Sequence, residues 1–297
     1  MDVVRTSPYP LVIKADGLAL GKGVEIVDSF EEACASLDRM LHQRTFGDSG
    51  ATVVMEEFLA GEELSLLCLV SHNRLIPLDL ARDYKKAYKG DTGPNTGGVG
   101  AYSPYRVSPE LHSSLDDMCT QISAGLEADG YDYTGILFIG VMVVDGVPKV
   151  LGFNVRFGDL ETEVLLARLT SDLAELLLST IDGTVQEKDI TWSEDFVVAV
   201  ILTSLGYPGS YTKDEPITLP SSLRDGELLF HNGTSMVKKE VFDGSGTPTL
   251  VNSGGRVLTA MGKASTQAQA RNIAYNLVSR IHCPALTYRT DIATSVD

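Results

Sequence analysis

The chain has 297 residues, 43% of them hydrophobic, a length that predicts two or three domains each able to bury its own core. Acidic residues outnumber basic ones by 40 to 24, and the formal charge of −16 argues against a general nucleic-acid-binding surface, so polyanionic ligands are expected to be small and met by local cations. The N-terminus lacks an apolar signal-like run, and the longest apolar stretches, near Gly135 to Val144 and Phe196 to Leu202, are too short to span a bilayer, which predicts a cytoplasmic protein with no membrane partner.

Residues 1–10 read as a short extension and residues 11–80 as a small α+β lobe. Two apolar runs, Leu11 to Ile13 and Val24 to Val27, flank a glycine loop with Gly17, Gly21 and Gly23 and the cations Lys14 and Lys22. Such a loop suits phosphates, whose charge the two ammonium groups would offset, although a plain hairpin has the same composition. It is not a Walker A loop, because Lys22 is followed by Gly23 and a β-branched Val24. Ser29 to Glu32 reads as a capping box opening a helix with Phe30, Ala33, Leu37, Met40 and Leu41 on one face. Strands are expected at Val53 to Met55 and Leu64 to Val70.

Residues 81–190 are expected to form a second lobe. The cations Lys85, Lys86 and Lys89 lead into Asp91 to Tyr102, D-T-G-P-N-T-G-G-V-G-A-Y, which has no apolar periodicity. Its glycines admit close approach to a ligand, and its main-chain amides could cradle an anion; a long surface loop is the alternative. A helix should start at Ser108-Pro109 and bury Leu111, Leu115, Met118, Ile122 and Leu126. Gly135 to Val144, a turn at Asp145-Gly146 and the run from Lys149 read as a strongly buried β-hairpin. Its second strand leads to Asn154, Arg156, Asp159 and Glu161, oxygens able to hold a hard cation and an arginine able to steady a phosphoryl group, or else a solvated strand end with an Arg–Asp pair. A further helix opens at Ser171-Asp172. A cleft between two such lobes is where a nucleotide is expected.

Residues 191–297 predict strands at Phe196 to Leu202 and Val257 to Ala260, a flexible hairpin tip at 243–248, and a helix from Thr266 burying Ala270, Ile273, Ala274, Leu277, Val278 and Ile281. His231, Asn232 and Arg256 are the polar residues to watch there, each more often structural than catalytic. The four cysteines, Cys34, Cys68, Cys119 and Cys283, show no metal or disulfide spacing, and the first three are most simply core residues.

Taken in order, K-A-D-G-L-A-x-G-K-G-V, E-E-F-L-x-G-E-E at Glu56 to Glu63, D-T-G-P-N-T-G-G-x-G-A-Y-S-P at Asp91 to Pro104 and F-N-x-R-F-G-D-x-E-T at Phe153 to Thr162 resemble the phosphoribosylamine–glycine ligase (glycinamide ribonucleotide synthetase) family of ATP-grasp enzymes. The likeness continues through Gly206 to Tyr211, Phe230 to Thr234, Ser253 to Leu258 and Tyr288 to Ile292, and so covers nearly the whole chain. The resemblance implies a mixed α+β and α/β architecture, with two ATP-grasp lobes and a C-terminal α+β domain. It implies ATP-dependent ligation of glycine to phosphoribosylamine in purine biosynthesis, with Mg²⁺ or Mn²⁺. By the same resemblance Lys14, Gly17, Gly21, Lys22 and Gly23 would meet the phosphates, and Glu57, Phe58, Leu59 and Glu63 the nucleoside. Asp83, Lys85 and Asp91, Gly93, Pro94, Asn95, Thr96, Gly97 and Gly98 would hold glycine and the ribotide, Arg156 the transferring phosphoryl group, and Asn154 the metal.

The family pattern places an N-terminal domain ahead of the K-A-D-G strand, and here Met1 to Pro10 precede it, so a separately supplied N-terminal domain is an expected partner. The pattern also reads E-F-N where this chain has Gly152-Phe153-Asn154, which removes the acidic metal ligand and predicts weak activity unless Asp159 or Glu161 takes its place. Asp159-Leu160-Glu161 stands where the pattern has D-P-E, and Asp83-Tyr84-Lys85 where it has D-H-K.

Overall fold

In the computed structural model, which describes residues 2–19, 23–238 and 248–294, the chain divides into two compact units, Met1–Gly61 and Glu62–Asp297. The first unit opens with a short helix, α1 (Asp2–Thr6), and is built on an antiparallel sheet in which β1 (Leu11–Ala15) lies between β2 (Val24–Val27) and β3 (Val53–Glu57). Strand alternation turns Leu11, Ile13 and Val27 inward, where Ala33 of helix α2 (Phe30–Leu37) and Met40 complete the core. Ser29 caps α2, its Oγ accepting from the Glu32 amide at 3.2 Å. Glu32 returns to the amide of Asp28 rather than Ser29, so the expected capping box is half formed.

The second unit runs β4 (Glu62–Ser71), β5 (Arg74–Pro77), β6 (Arg82–Asp83), β7 (Lys86–Tyr88), β8 (Thr92–Asn95), β9 (Gly100–Ser103), α3 (Pro109–Ala128), β10 (Gly135–Val144), β11 (Val147–Asn154) and α4 (Glu161–Leu166). It continues through α5 (Leu173–Ile181), β12 (Phe196–Ser204), β13 (Glu227–His231), β14 (Thr234–Lys238), β15 (Pro248–Asn252), β16 (Arg256–Ala264), α6 (Gln267–Val278) and β17 (Leu286–Thr287). One antiparallel sheet has the order β11-β10-β4-β5. A larger one has the order β13-β16-β12-β9-β6, with β17 also on β12.

The layers follow from alternation along the central strands. In β4, Leu66 and Cys68 turn toward Leu115 and Cys119 of α3, while Leu67 and Leu69 turn toward the second sheet. In β12, Val197, Ala199 and Ile201 face that shared interior together with Leu160, Val164 and Leu165; Val198 and Val200 face Ala270, Ala274 and Leu277 of α6. Ser108 caps α3, Asp172 caps α5 and Thr266 caps α6, as their sequences predict. Ile273 of α6 is only partly buried.

The expected division near residue 80 falls instead at Gly61, because β4 pairs along its length with β10 from Gly135↔Val70 to Val143↔Glu62. Across residue 190 one sheet is continuous, β9 pairing with β12 from Gly100↔Val200 to Ser103↔Val197. The Asp145-Gly146 turn is present with both φ angles positive, but the hairpin it closes is buried only on the β10 side. β11 is an edge strand with Phe153 exposed, as is Val155 just past its end. The hairpin tip expected at 243–248 lies outside the described residues up to Pro248, which begins β15. Among the described residues no helix is long and apolar enough to cross a membrane.

Candidate functional site

In the first unit the outward face of the sheet carries Val12, Val24, Ile26 and Val54 around an ion pair, Lys14 Nζ to Glu56 at 2.5 Å. An exposed apolar platform with a lysine at its centre can receive a flat heterocycle and a charged tail. The loop beside it differs from expectation. The Gly17 amide donates to Ser49 O at 2.9 Å and so is already used, and a Cβ there would collide with the Ser49 backbone. Gly23 is buried, its carbonyl accepting from the Ala15 amide at 2.8 Å, and a Cβ would strike Ala19 and Ala15. Both glycines are therefore required by close packing of protein on protein. Gly21 and Lys22 lie outside the described residues. Glu57 ends β3, and Phe58 and Leu59 follow it at the end of the unit, with Phe58 exposed.

In the second unit Asp83, Lys85, Glu63 and Glu161 converge. Lys85 Nζ bonds Asp83 Oδ2 and stands 3.5 Å from Glu63, while Ser65 Oγ donates to Glu161 Oε1 at 3.0 Å. Glu63, which the resemblance sets against the nucleoside, here stands beside a lysine. Asp83 Oδ1 is buried without a hydrogen-bond partner. Burial and then the charge of Asp83 push the Glu161 carboxyl up to about 7, against the opposing pull of Lys85 and Ser65. Burial pulls the Lys85 ammonium down, but Asp83, Glu63 and Glu161 outweigh it and hold its pKa raised. Three carboxylates share one lysine, and only Lys85 and Glu63 reach solvent appreciably.

The glycine-rich run is more ordered than its composition suggests. Thr92–Asn95 forms β8 and pairs with β7, Gly100–Ser103 becomes a buried strand of the larger sheet, and Gly90, Asp91 and Gly93 take positive φ at the turn. The amides an anion would need at its far end are already engaged: Thr96 N to Lys85 O at 2.8 Å, Gly97 N to Tyr207 Oη at 3.0 Å, Gly98 N to Thr96 Oγ1 at 3.0 Å. Three side chains that sequence reasoning left without a role hold it. Buried Arg289 donates to Asp91 Oδ1 at 2.7 Å and Lys86 O at 3.0 Å, and its fork also grips Asp291. Asp291 accepts from the Gly90 amide at 2.8 Å, and Arg256 donates to Gly97 O at 2.7 Å. The only signal for Arg289 and Asp291 was a pair of opposite charges in Tyr288 to Ile292.

At the end of β11, Asn154 and Arg156 are exposed, and Arg156 donates to Phe157 O at 2.8 Å. The Asp159 carboxylate is paired with Arg256 at 2.6 Å, so the expected Arg–Asp pair exists with a different arginine. Glu161 faces inward to Ser65. Neither acid stands in for the missing residue at Gly152, and among the described residues no three His, Cys, Asp or Glu side chains are grouped to hold a metal. A single neutral amide at Asn154 does not fit Mg²⁺, which favours carboxylate oxygens in near-octahedral geometry.

Residues 1–162 match the phosphoribosylglycinamide synthetase ATP-grasp (A) domain, and residues 197–295 match the C domain of the same synthetase. The chain belongs to the phosphoribosylglycinamide synthetase family. Relatives named phosphoribosylamine–glycine ligase include one from Halalkalibacterium halodurans, 43% identical over 98% of this chain and 66% of its own, and the chloroplastic one of Arabidopsis thaliana, 43% identical over 98% of this chain and 54% of its own. The chain thus spans somewhat under two thirds of the first relative and about half of the second. The crystal structure of phosphoribosylamine–glycine ligase from Thermotoga maritima superimposes with a TM-score of 0.88 at 36% identity, covering 98% of this chain and 71% of that one. The biotin carboxylase domain of Hydrogenobacter thermophilus 2-oxoglutarate carboxylase shares the fold, with a TM-score of 0.71 at 12% identity. The fold is ATP-grasp with a C-terminal α+β domain, as the motifs of this family led one to expect.

Proposed function

We propose that the chain carries the ATP-dependent ligation of glycine to 5-phosphoribosylamine, giving glycinamide ribonucleotide, ADP and phosphate, in the cytoplasm. What supports this most is the match to both the A and C domains of one synthetase, together with a lysine-centred apolar platform in one unit and a charged cluster beside the glycine-rich hairpin in the other. In this reading Lys14 meets the nucleotide phosphates, and Glu57, Phe58 and Leu59 the nucleoside. The glycine carboxylate attacks the γ-phosphorus to form glycyl phosphate and ADP. The amine of phosphoribosylamine then attacks the acyl carbon, phosphate leaves, and the amine gives up a proton. Asp83, Lys85 and residues 91–98 position glycine and the ribotide, and exposed Arg156 steadies charge on the phosphoryl group.

The test is ADP release with ATP, Mg²⁺, glycine and fresh phosphoribosylamine, each omitted in turn, with and without an added N-terminal domain from a relative. Release that needs both substrates supports ligation. Release in neither form moves the assignment to a non-catalytic nucleotide-binding protein, a second reading favoured by Gly152 at the acidic position.

A further inference from the structure

Arg256, at the start of β16, joins Gly97 to Asp159, 62 residues further along the chain. Its Nη1 donates to Gly97 O at 2.7 Å and to Asp159 O at 3.3 Å, and its Nη2 to Asp159 Oδ2 at 2.6 Å. Gly97 lies against the guanidinium so closely that a Cβ would stand 3.2 Å from Cζ. The turn it grips is strained. Leu160 is fully buried and holds φ at +117°, a conformation that is unfavourable for a bulky side chain and persists only when its surroundings enforce it. Gly98 packs over the Leu160 side chain, where a Cβ would stand 3.3 Å from Cδ2. Asp159 on one side of Leu160 is held by Arg256, and Glu161 on the other by Ser65.

We propose that Arg256 is a positioning residue: its guanidinium fastens the Gly97 end of the glycine-rich hairpin to the strained Asp159–Leu160 turn, so that the two substrate-side segments are set as one piece. Its bearing on catalysis rests on the ligase reading above, but the fastening itself does not. A planar fork is needed, because one carbonyl and one carboxylate must be met at once, and a lysine ammonium cannot reproduce that geometry.

Hydrogen–deuterium exchange on the full chain tests it without any need for turnover. Arg256→Ala should raise exchange at least about tenfold in peptides covering both 91–98 and 155–162, while α6 and the β10–β11 hairpin stay protected. Arg256→Lys should release at least one segment with the fold intact, which keeps the test valid if the alanine variant unfolds. In the ligase assay the glycine or phosphoribosylamine KM should rise several-fold with the ATP KM unchanged, a split that general destabilisation does not produce. Unchanged exchange at both segments in a folded variant overturns the proposal and leaves the ligase reading standing. Raised exchange in a chain whose wild type releases no ADP supports the fastening and defeats the ligase reading alone.

Discussion

Glu161 makes the sharpest prediction about pH. The carboxyl is 3% exposed, and burial together with Asp83 raises its pKa from 4.5 to about 7. Below pH 4.5 it is protonated in both folded and unfolded chains and contributes nothing to the balance. Between 4.5 and 7 the folded chain keeps a proton that the unfolded chain has released, so stability falls as pH rises, and above 7 the loss is complete. At about 1.4 kcal/mol per tenfold change in ionisation constant, the ionised group costs the fold roughly 3 kcal/mol. Glu161→Gln keeps an oxygen for Ser65 but removes the charge, and with Lys85 losing one favourable neighbour the net gain at pH 8 should be about 1–3 kcal/mol. Urea titrations of both proteins from pH 5 to 8 read this directly. The wild type should lose stability relative to the variant across that window; parallel curves, or a variant less stable at pH 8, would refute the placement of Glu161 as a buried acid beside Asp83.

Arg289→Ala should destabilise the second unit by about 3–5 kcal/mol in urea melts, because it leaves Asp291 beneath the hairpin without its bidentate partner. Gly152→Glu should leave stability within about 0.5 kcal/mol, since a Cβ at 152 meets nothing within 4 Å, and should raise the affinity for Mg²⁺·ADP by thermal shift; an unchanged metal dependence would mean the strand end is not the metal site. Gly262→Ala should cost about 1–3 kcal/mol in the same melts, because its methyl would run into the Ala270 carbonyl and Ala274 amide where α6 crosses β16.

The core was legible where periodicity is local. The faces of α2, α3 and α6 and the Asp145-Gly146 turn depend on neighbours within a few residues, and they form largely as their patterns predict, although α2 stops at Leu37 short of Met40 and Leu41, and Ile273 is only partly buried. What depended on distant pairing was not. Nothing between Leu64 and Val70 says that this strand lies against β10, some 70 residues on, so the lobe boundary was set too late. The glycine-rich run misled in a related way: glycine content signals close approach, but here the approaching groups are the Arg256 guanidinium at Gly97, the Leu160 side chain at Gly98 and Ile292 at Gly100, all supplied from elsewhere in the chain. Glu161 was read as a candidate metal ligand because a carboxylate near a strand end resembles one, whereas its one-residue offset past strained Leu160 turns it inward to Ser65.

The same distinction sorts the cations of this strongly acidic chain. Arg289 and Arg256 are engaged by carboxylates and carbonyls with specific geometry, so withdrawing either for a ligand phosphate would leave buried or strained groups without partners, a loss of several kcal/mol. The Lys14–Glu56 pair is different. Its two side chains are 21% and 40% exposed on an open sheet face, where an ion pair is worth about 0–1 kcal/mol. In the ligase reading a triphosphate, with several formal charges, competes with Glu56 for Lys14. Arg156 is exposed, and among the described residues its guanidinium donates to the neighbouring Phe157 carbonyl. In the ligase reading Lys14 and Arg156 are the cations set against the phosphates, and Arg289 and Arg256 are those that hold the loops in place.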